Sequence, residues 1–157
     1  MTARILFIGD IVGKPGRRVC QALLPDLVQE LGADAVIANG ENAAGGFGLT
    51  AETADEIFRS GVNVITTGNH VWNKREFYPV LAANERVLRP ANYPPGAPGR
   101  GVTVVQLASG LRLCVVNLAG RVFMGPVDCP FRAADRILEE QTSKCDVIVV
   151  DFHAEAT

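Results

Sequence analysis

Nowhere in this 157-residue chain does an apolar run approach the roughly 20 residues needed to cross a membrane. The N-terminus passes from Met1 through Arg4 into a strand-like run, without the basic, apolar and small-residue regions of a secretory signal. A cytoplasmic location is therefore expected. Excess positive charge is also missing. The formal net charge is -2 and the one basic cluster is Lys14, Arg17 and Arg18, which disfavours nucleic acid as an electrostatically bound partner. Cys20, Cys114, Cys129 and Cys145 form no C-x-x-C pair, so neither a zinc ribbon nor a redox motif is indicated, and buried free thiols are the simplest account. Two nucleotide-loop signatures are absent as well. Gly45-Gly46-Phe47-Gly48-Leu49-Thr50 has no Lys-Ser/Thr ending, and no G-x-G-x-x-G follows a strand. An esterase opening with G-D-S would need a serine where Ile11 stands, and Ser60, Ser109 and Ser143 lie in no G-x-S-x-G elbow.

What is present suits one well-filled α/β domain over residues 1–157, with 48% hydrophobic and 20% charged residues. Ile5-Leu6-Phe7-Ile8 is a continuous apolar run, as in a strand covered on both faces, and it ends in Gly9-Asp10. From about Arg17 to Leu31, Val19, Leu23, Leu24, Leu27, Val28 and Leu31 recur at helical spacing, with Gly32 as the stop. Ala35 to Ala38 forms a second strand that empties into Asn39-Gly40-Glu41-Asn42. A small, glycine-rich loop from Ala43 to Leu49 precedes a helix capped by Thr50, with Glu52 and Asp55 in its early turns.

A third strand begins at Val62 and delivers Gly68-Asn69-His70 at its carboxyl end, where ligands sit in open α/β sheets. A short helix around Glu76 to Ala82 turns Phe77, Val80 and Leu81 inward, and Leu88 to Asn92 is read as another short strand. Val102 to Leu107 and Leu111 to Asn117 flank Ala108-Ser109-Gly110 as a β-hairpin, which suggests a second sheet packed on the first. A helix from Arg132 to Gln141 and a strand from Val147 to Val150 follow, the latter ending in Asp151-Phe152-His153-Ala154-Glu155.

Strand ends thus carry Asp10, Glu41 with Asn42, Asn69 with His70, and His153. Singly, each has an ordinary reading: helix cap, solvated loop charge, turn residue or surface histidine. Jointly, a parallel sheet gathers such ends along one edge. A set of carboxylate, amide and imidazole donors suits Mn, Fe or Zn better than a thiolate-loving ion. Glu41, on a central strand, is the natural bridge for two ions. Ions about 3.5 to 4 Å apart would hold a hydroxide for in-line attack on phosphorus, and His70 could protonate or stabilise the leaving oxygen. Hydrolysis of a phosphoester is the chemistry this set matches best.

The blocks G-D-I-V-G (9–13), N-G-E-N (39–42), T-G-N-H (67–70) and D-F-H-A-E (151–155) resemble those of the calcineurin-like metallophosphoesterases. More narrowly, N-G-E-N-A-A-G-G-F-G-L-T with V-W-N-K after the histidine is similar to the bacterial YmdB-type phosphodiesterases, over essentially the whole chain. The resemblance implies an α/β metallophosphoesterase-type β-sandwich of two mixed sheets flanked by helices. It further implies two divalent or mixed-valence metal ions, one held by Asp10, Glu41 and Asn42 and the other by Glu41, Asn69 and His153, with His70 as the catalytic imidazole. The implied substrates are 2',3'-cyclic nucleotides, with related activity on nucleotide monoesters.

Val12 stands where the wider superfamily has a histidine, and Glu41 where it has an aspartate, and both departures fit the narrower family. The family's later G-x-H-x-H block has no counterpart here, so the expectation is a chain truncated from a longer protein. A non-catalytic metal- or nucleotide-binding regulator on the same fold is the rival reading. A homo-oligomer is permitted but not required.

Overall fold

In the computed structural model, which describes residues 2–156, seven strands and four α-helices alternate in two blocks. The first block runs β1 (Ile5–Ile8), α1 (Gly13–Leu31), β2 (Ala35–Asn39), α2 (Ala51–Arg59), β3 (Val64–Thr66), α3 (Tyr78–Ala83) and β4 (Val87–Leu88). The second runs β5 (Val102–Gln106), β6 (Arg112–Ala119), α4 (Pro130–Gln141) and β7 (Val147–His153). Strands β1 to β4 form one sheet in sequence order, parallel throughout. In the other sheet β5 pairs antiparallel with β6, and β6 pairs parallel with β7.

The layers follow from side-chain alternation. On β2, Val36 and Ala38 face one way, into a core shared with Leu24 of α1, Ala54 and Ile57 of α2 and Leu81 of α3. Ala35 and Ile37 face the other way and meet Leu113 and Val115 of β6. The far side of β6 presents Cys114, Val116 and Leu118 to Ala133 and Ile137 of α4. Two sheets therefore pack face to face with helices outside both, as the alternation of period two and period 3.6 requires. Among the described residues no helix is long and apolar enough to cross a membrane.

Several local expectations need correction. Strand β1 is an edge strand, so Phe7 is 42% exposed where cover on both faces was expected. Helix α1 starts at Gly13, not Arg17, because Pro15 in the first turn lacks only an N–H that no helix would use. Gly32 does end it, in the left-handed conformation (φ 60°). Of the apolar positions on α1, Leu24 is buried, while Val19, Leu23, Leu27 and Leu31 are exposed. Helical spacing marks a stripe but not how much of it a neighbour covers.

The strand expected over Leu88 to Asn92 stops at Leu88. Beyond it Pro90 has no N–H to donate, and the amides of Arg89 and Ala91 turn to the carbonyls of Arg100 and Asn117. Thr50 caps α2 as expected, in a reciprocal box with Thr53. The cysteines are free, with Cys20, Cys114 and Cys145 buried and Cys129 half-buried at the start of α4.

Asn117 ties the sheets together beneath the site. Its fully buried amide nitrogen donates to the carbonyls of Thr67 (2.7 Å) and Leu88 (3.0 Å), so a β6 side chain holds the exits of β3 and β4. Replacing Asn117 with leucine, similar in volume but without the donor, removes both bonds and leaves Thr67 O unpaired. The expected destabilisation is about 3 kcal/mol, read as a lower denaturant midpoint with an unchanged slope.

Candidate metal centre

Residues from both sheets meet at the carboxyl ends of β1, β2, β3 and β7. Asp10 follows β1, Glu41 and Asn42 follow β2, Asn69 and His70 open a short 3-10 turn after β3, and His153 is the last residue of β7. Contrary to the expectation of a single parallel-sheet edge, His153 does not share a sheet with the other candidate residues, because β7 is the third strand of the second sheet. It joins them because the strand ends of the two packed sheets lie together.

Glu41 is the hub. It is 2% exposed, its backbone N–H donates to Asn39 Oδ1 (3.1 Å), and its Oε1 lies 3.3 Å from His153 Nε2 and 3.4 Å from His70 Nδ1. Its other oxygen, Oε2, is buried and has no hydrogen-bond partner. Burial foremost, with the nearby Asp10 carboxylate next, raises its pKa from the ordinary 4.5 to about 7. Burial likewise lowers the pKa of His153, against the opposing pull of Asp151 and Glu155. Burial thus disfavours the charged form of both groups, which weakens their 3.3 Å contact as an ion pair. His153 Nε2 also lies 3.0 Å from Asn69 Oδ1.

Asn42 connects the remaining members. Its Nδ2 donates to Asp10 Oδ2 at 2.7 Å and, more weakly, to Glu41 Oε1 at 3.4 Å. Its Oδ1 accepts from His70 Nδ1 at 2.6 Å. An amide oxygen can only accept, so His70 carries its proton on Nδ1 and Nε2 is left for a ligand. The oxygen through which Asn42 was expected to bind metal is here committed to His70.

The donor set fits a cation on two observations. The buried, unpartnered Glu41 Oε2 lacks a positive partner that nearby carboxylates cannot provide. Glu41 Oε1, Asn69 Oδ1 and His153 Nε2 lie in contacts of 3.0 and 3.3 Å, the spacing of neighbouring donors each about 2.1 Å from one ion. Among the described residues no three His, Cys, Asp or Glu side chains form a metal-holding group by themselves, so the amides would have to share the coordination.

Gly68 makes the convergence possible. Its φ of -138° is open to any residue, but a Cβ there would collide with the Glu41 carboxylate and the His153 ring. The lack of space is enough to call for glycine here. Two neighbours were not expected from the sequence: Asn39, although it stands in the N-G-E-N block, and the half-buried Asp151, whose pKa is raised by desolvation and whose buried Oδ2 has no hydrogen-bond partner. Alternation along β7 would have placed Asp151 on the same face as His153.

Residues 6–157 match the family model described as YmdB-like protein. The chain is 46% identical over 154 residues to the 2',3'-cyclic-nucleotide 2'-phosphodiesterase of Bacillus subtilis, covering 98% of this chain and 58% of that relative. The crystal structure of a hypothetical protein from Thermus thermophilus superposes with a TM-score of 0.90 at 46% identity, over 98% of this chain and 58% of that one. That of a novel phosphatase from Mycoplasma pneumoniae superposes with a TM-score of 0.90 at 30% identity, over 99% and 57%. The chain thus spans somewhat more than half the length of the relatives it matches. With a family match over nearly all its residues and the expected two-sheet architecture, the chain belongs to the YmdB-like family.

Proposed function

We propose that this chain carries the catalytic centre of a metal-dependent phosphoesterase, with 2',3'-cyclic nucleotides as the substrate class and nucleotide monoesters as secondary substrates. The observation that carries the reading is Glu41: a buried carboxylate with one oxygen unpartnered, set among two imidazoles, two amides and Asp10. The substrate class comes from the Bacillus subtilis relative, whose name states it.

Asp10, Glu41, Asn69 and His153 would hold divalent or mixed-valence ions (Fe, Mn or Zn), while Asn42 spans Asp10 and His70. Bound ions supply Lewis acidity toward water and the phosphoryl oxygens. The chain's own residues supply orientation and a proton. Asp10 accepts from Asn42, and Asn42 accepts from His70 Nδ1, which fixes the ring so that Nε2 can face the leaving oxygen. As the oxygen of water bonds to phosphorus and the P–O bond to the leaving group breaks, the doubly protonated His70 ring gives its Nε2 proton to the leaving oxygen and is left as the neutral Nδ1–H form held by Asn42.

The test is hydrolysis of bis-p-nitrophenyl phosphate and 2',3'-cyclic AMP by purified protein with Mn, then with chelator. Chelation is expected to abolish turnover and added Mn to restore it. Activity indifferent to chelation would reject the metal mechanism. Replacing His70 with alanine is expected to lower kcat by about 10²–10⁴-fold while metal content is kept.

The rival reading, a non-catalytic metal- or nucleotide-binding regulator, draws on the lack of three grouped His, Cys, Asp or Glu side chains among the described residues. It predicts binding of Mn or nucleotide without turnover.

A further inference from the structure

The loop between β2 and α2 holds an aromatic ring beside His70. Its ends are fixed. Ala43 and Leu49 are fully buried, Gly46 N donates to Asn42 O (3.0 Å), Ala44 N donates to Gly48 O (2.9 Å), and Arg17 Nη1 donates to Ala43 O. Gly48, at φ +77°, lies so close to the turn after β3 that a Cβ there would meet Lys74 Cγ at 2.8 Å and His70 O at 3.2 Å. The loop is thus pressed onto the segment that carries His70. Between these anchors Phe47 remains 57% exposed, with its ring centroid 5.0 Å from that of His70 at an interplanar angle of 78°.

Core packing does not account for Phe47, since more than half of it faces solvent in a loop that otherwise buries its apolar residues. An aromatic ring held in edge contact with the imidazole of a phosphoester centre, and otherwise open to solvent, offers a surface to a flat group of the bound ester. We infer that Phe47 is a specificity-determining residue, the platform on which the base of a nucleotide stacks while its phosphate lies at Glu41 and His70. This rests on the phosphoesterase reading above. Every base has a π-face, so the platform separates nucleotides from base-free sugar phosphates without choosing strongly among bases.

The experiment compares Phe47→Ala, Phe47→Leu and Phe47→Trp on 2',3'-cyclic AMP and on methyl riboside 2,3-cyclic phosphate, with Mn present. Phe47→Ala and Phe47→Leu are expected to raise KM for the nucleotide about tenfold with kcat little changed, and Phe47→Trp to restore it. The effect should be confined to the substrate that carries a base. A fall in kcat on both substrates would mean that Phe47 only orients His70, and an unchanged KM would mean that no base stacks there. Either result overturns the inference. Calorimetric titration with 3'-AMP and with methyl riboside 3-phosphate gives a readout without turnover. Tenfold weaker AMP binding by Phe47→Ala in a protein that hydrolyses neither substrate would support stacking while overturning the phosphoesterase reading. Equal AMP binding by both proteins would overturn the stacking whether or not hydrolysis occurs.

Discussion

Glu41→Gln is expected to lower phosphodiesterase activity by more than about a hundredfold while making the metal-free protein more stable. Outer-shell partners of metal ligands are worth about 10–100-fold, so loss of the carboxylate at the hub should exceed that range. The stability gain follows from the raised pKa, which moves from 4.5 in the unfolded chain to about 7 in the fold. Below pH 4.5 both states hold the proton and the group is neutral to stability. Between 4.5 and about 7 the unfolded state ionises while the folded state retains its proton, so folding stability falls as pH rises through this window.

Above pH 7 the accumulated penalty levels off at about 3 kcal/mol, and glutamine, which cannot ionise, does not incur it. For a chain of this size, Glu41→Gln should melt about 5–10 °C above the unsubstituted protein at pH 8 without metal, and close to it at pH 4. A bound cation reverses the order, because it favours the ionised carboxylate that the metal-free fold disfavours. Equal melting temperatures at pH 4 and pH 8 for the two metal-free proteins would show that Glu41 is not a strained carboxylate. Undiminished turnover by Glu41→Gln would remove it from the mechanism.

Gly68→Ala should disable the centre by a different route. The added methyl occupies the space taken by the Glu41 carboxylate and the His153 ring, and neither can withdraw readily into the packed sheets behind it. The expected results are a loss of about 2–3 kcal/mol in stability, typical of overpacking, and activity reduced at least as far as by Glu41→Gln. The control is Gly61→Ala, at a glycine with nothing within 4 Å of its Cβ position but a φ of +107°. Strain there should lower stability and leave KM and kcat per folded molecule unchanged. Wild-type activity in Gly68→Ala would mean that Glu41 and His153 need not approach each other for turnover.

Much of this arrangement is legible before any folding. Apolar runs ending in Gly9-Asp10, Gly40-Glu41-Asn42 and Gly68-Asn69-His70 mark three parallel strands, because buried strands are continuous in apolar character and their exits are not. The hairpin around Gly110 and the Thr50 cap are local chemistry read from neighbouring residues, and both appear as expected. The cover over each strand is harder to read. The β1 run is as apolar as that of β2, yet only β2 has a neighbour on both sides. The stripe on α1 shows the same limit, since spacing identifies a face whether or not another element packs on it.

By itself the sequence determined which chemical groups stand at the strand ends, since residue type and local turn propensity require no knowledge of the rest of the chain. It also determined the family, through blocks whose order and content survive without coordinates. Only the tertiary structure decided that His153 reaches Glu41 from the second sheet, that Asn42 spans Asp10 and His70, and that Gly68 is needed for the room it leaves. These depend on side chains far apart in the chain arriving within hydrogen-bond range, as Glu41 and His153 do at 3.3 Å. The packing of one sheet on the other sets that distance, and no short-range pattern encodes it.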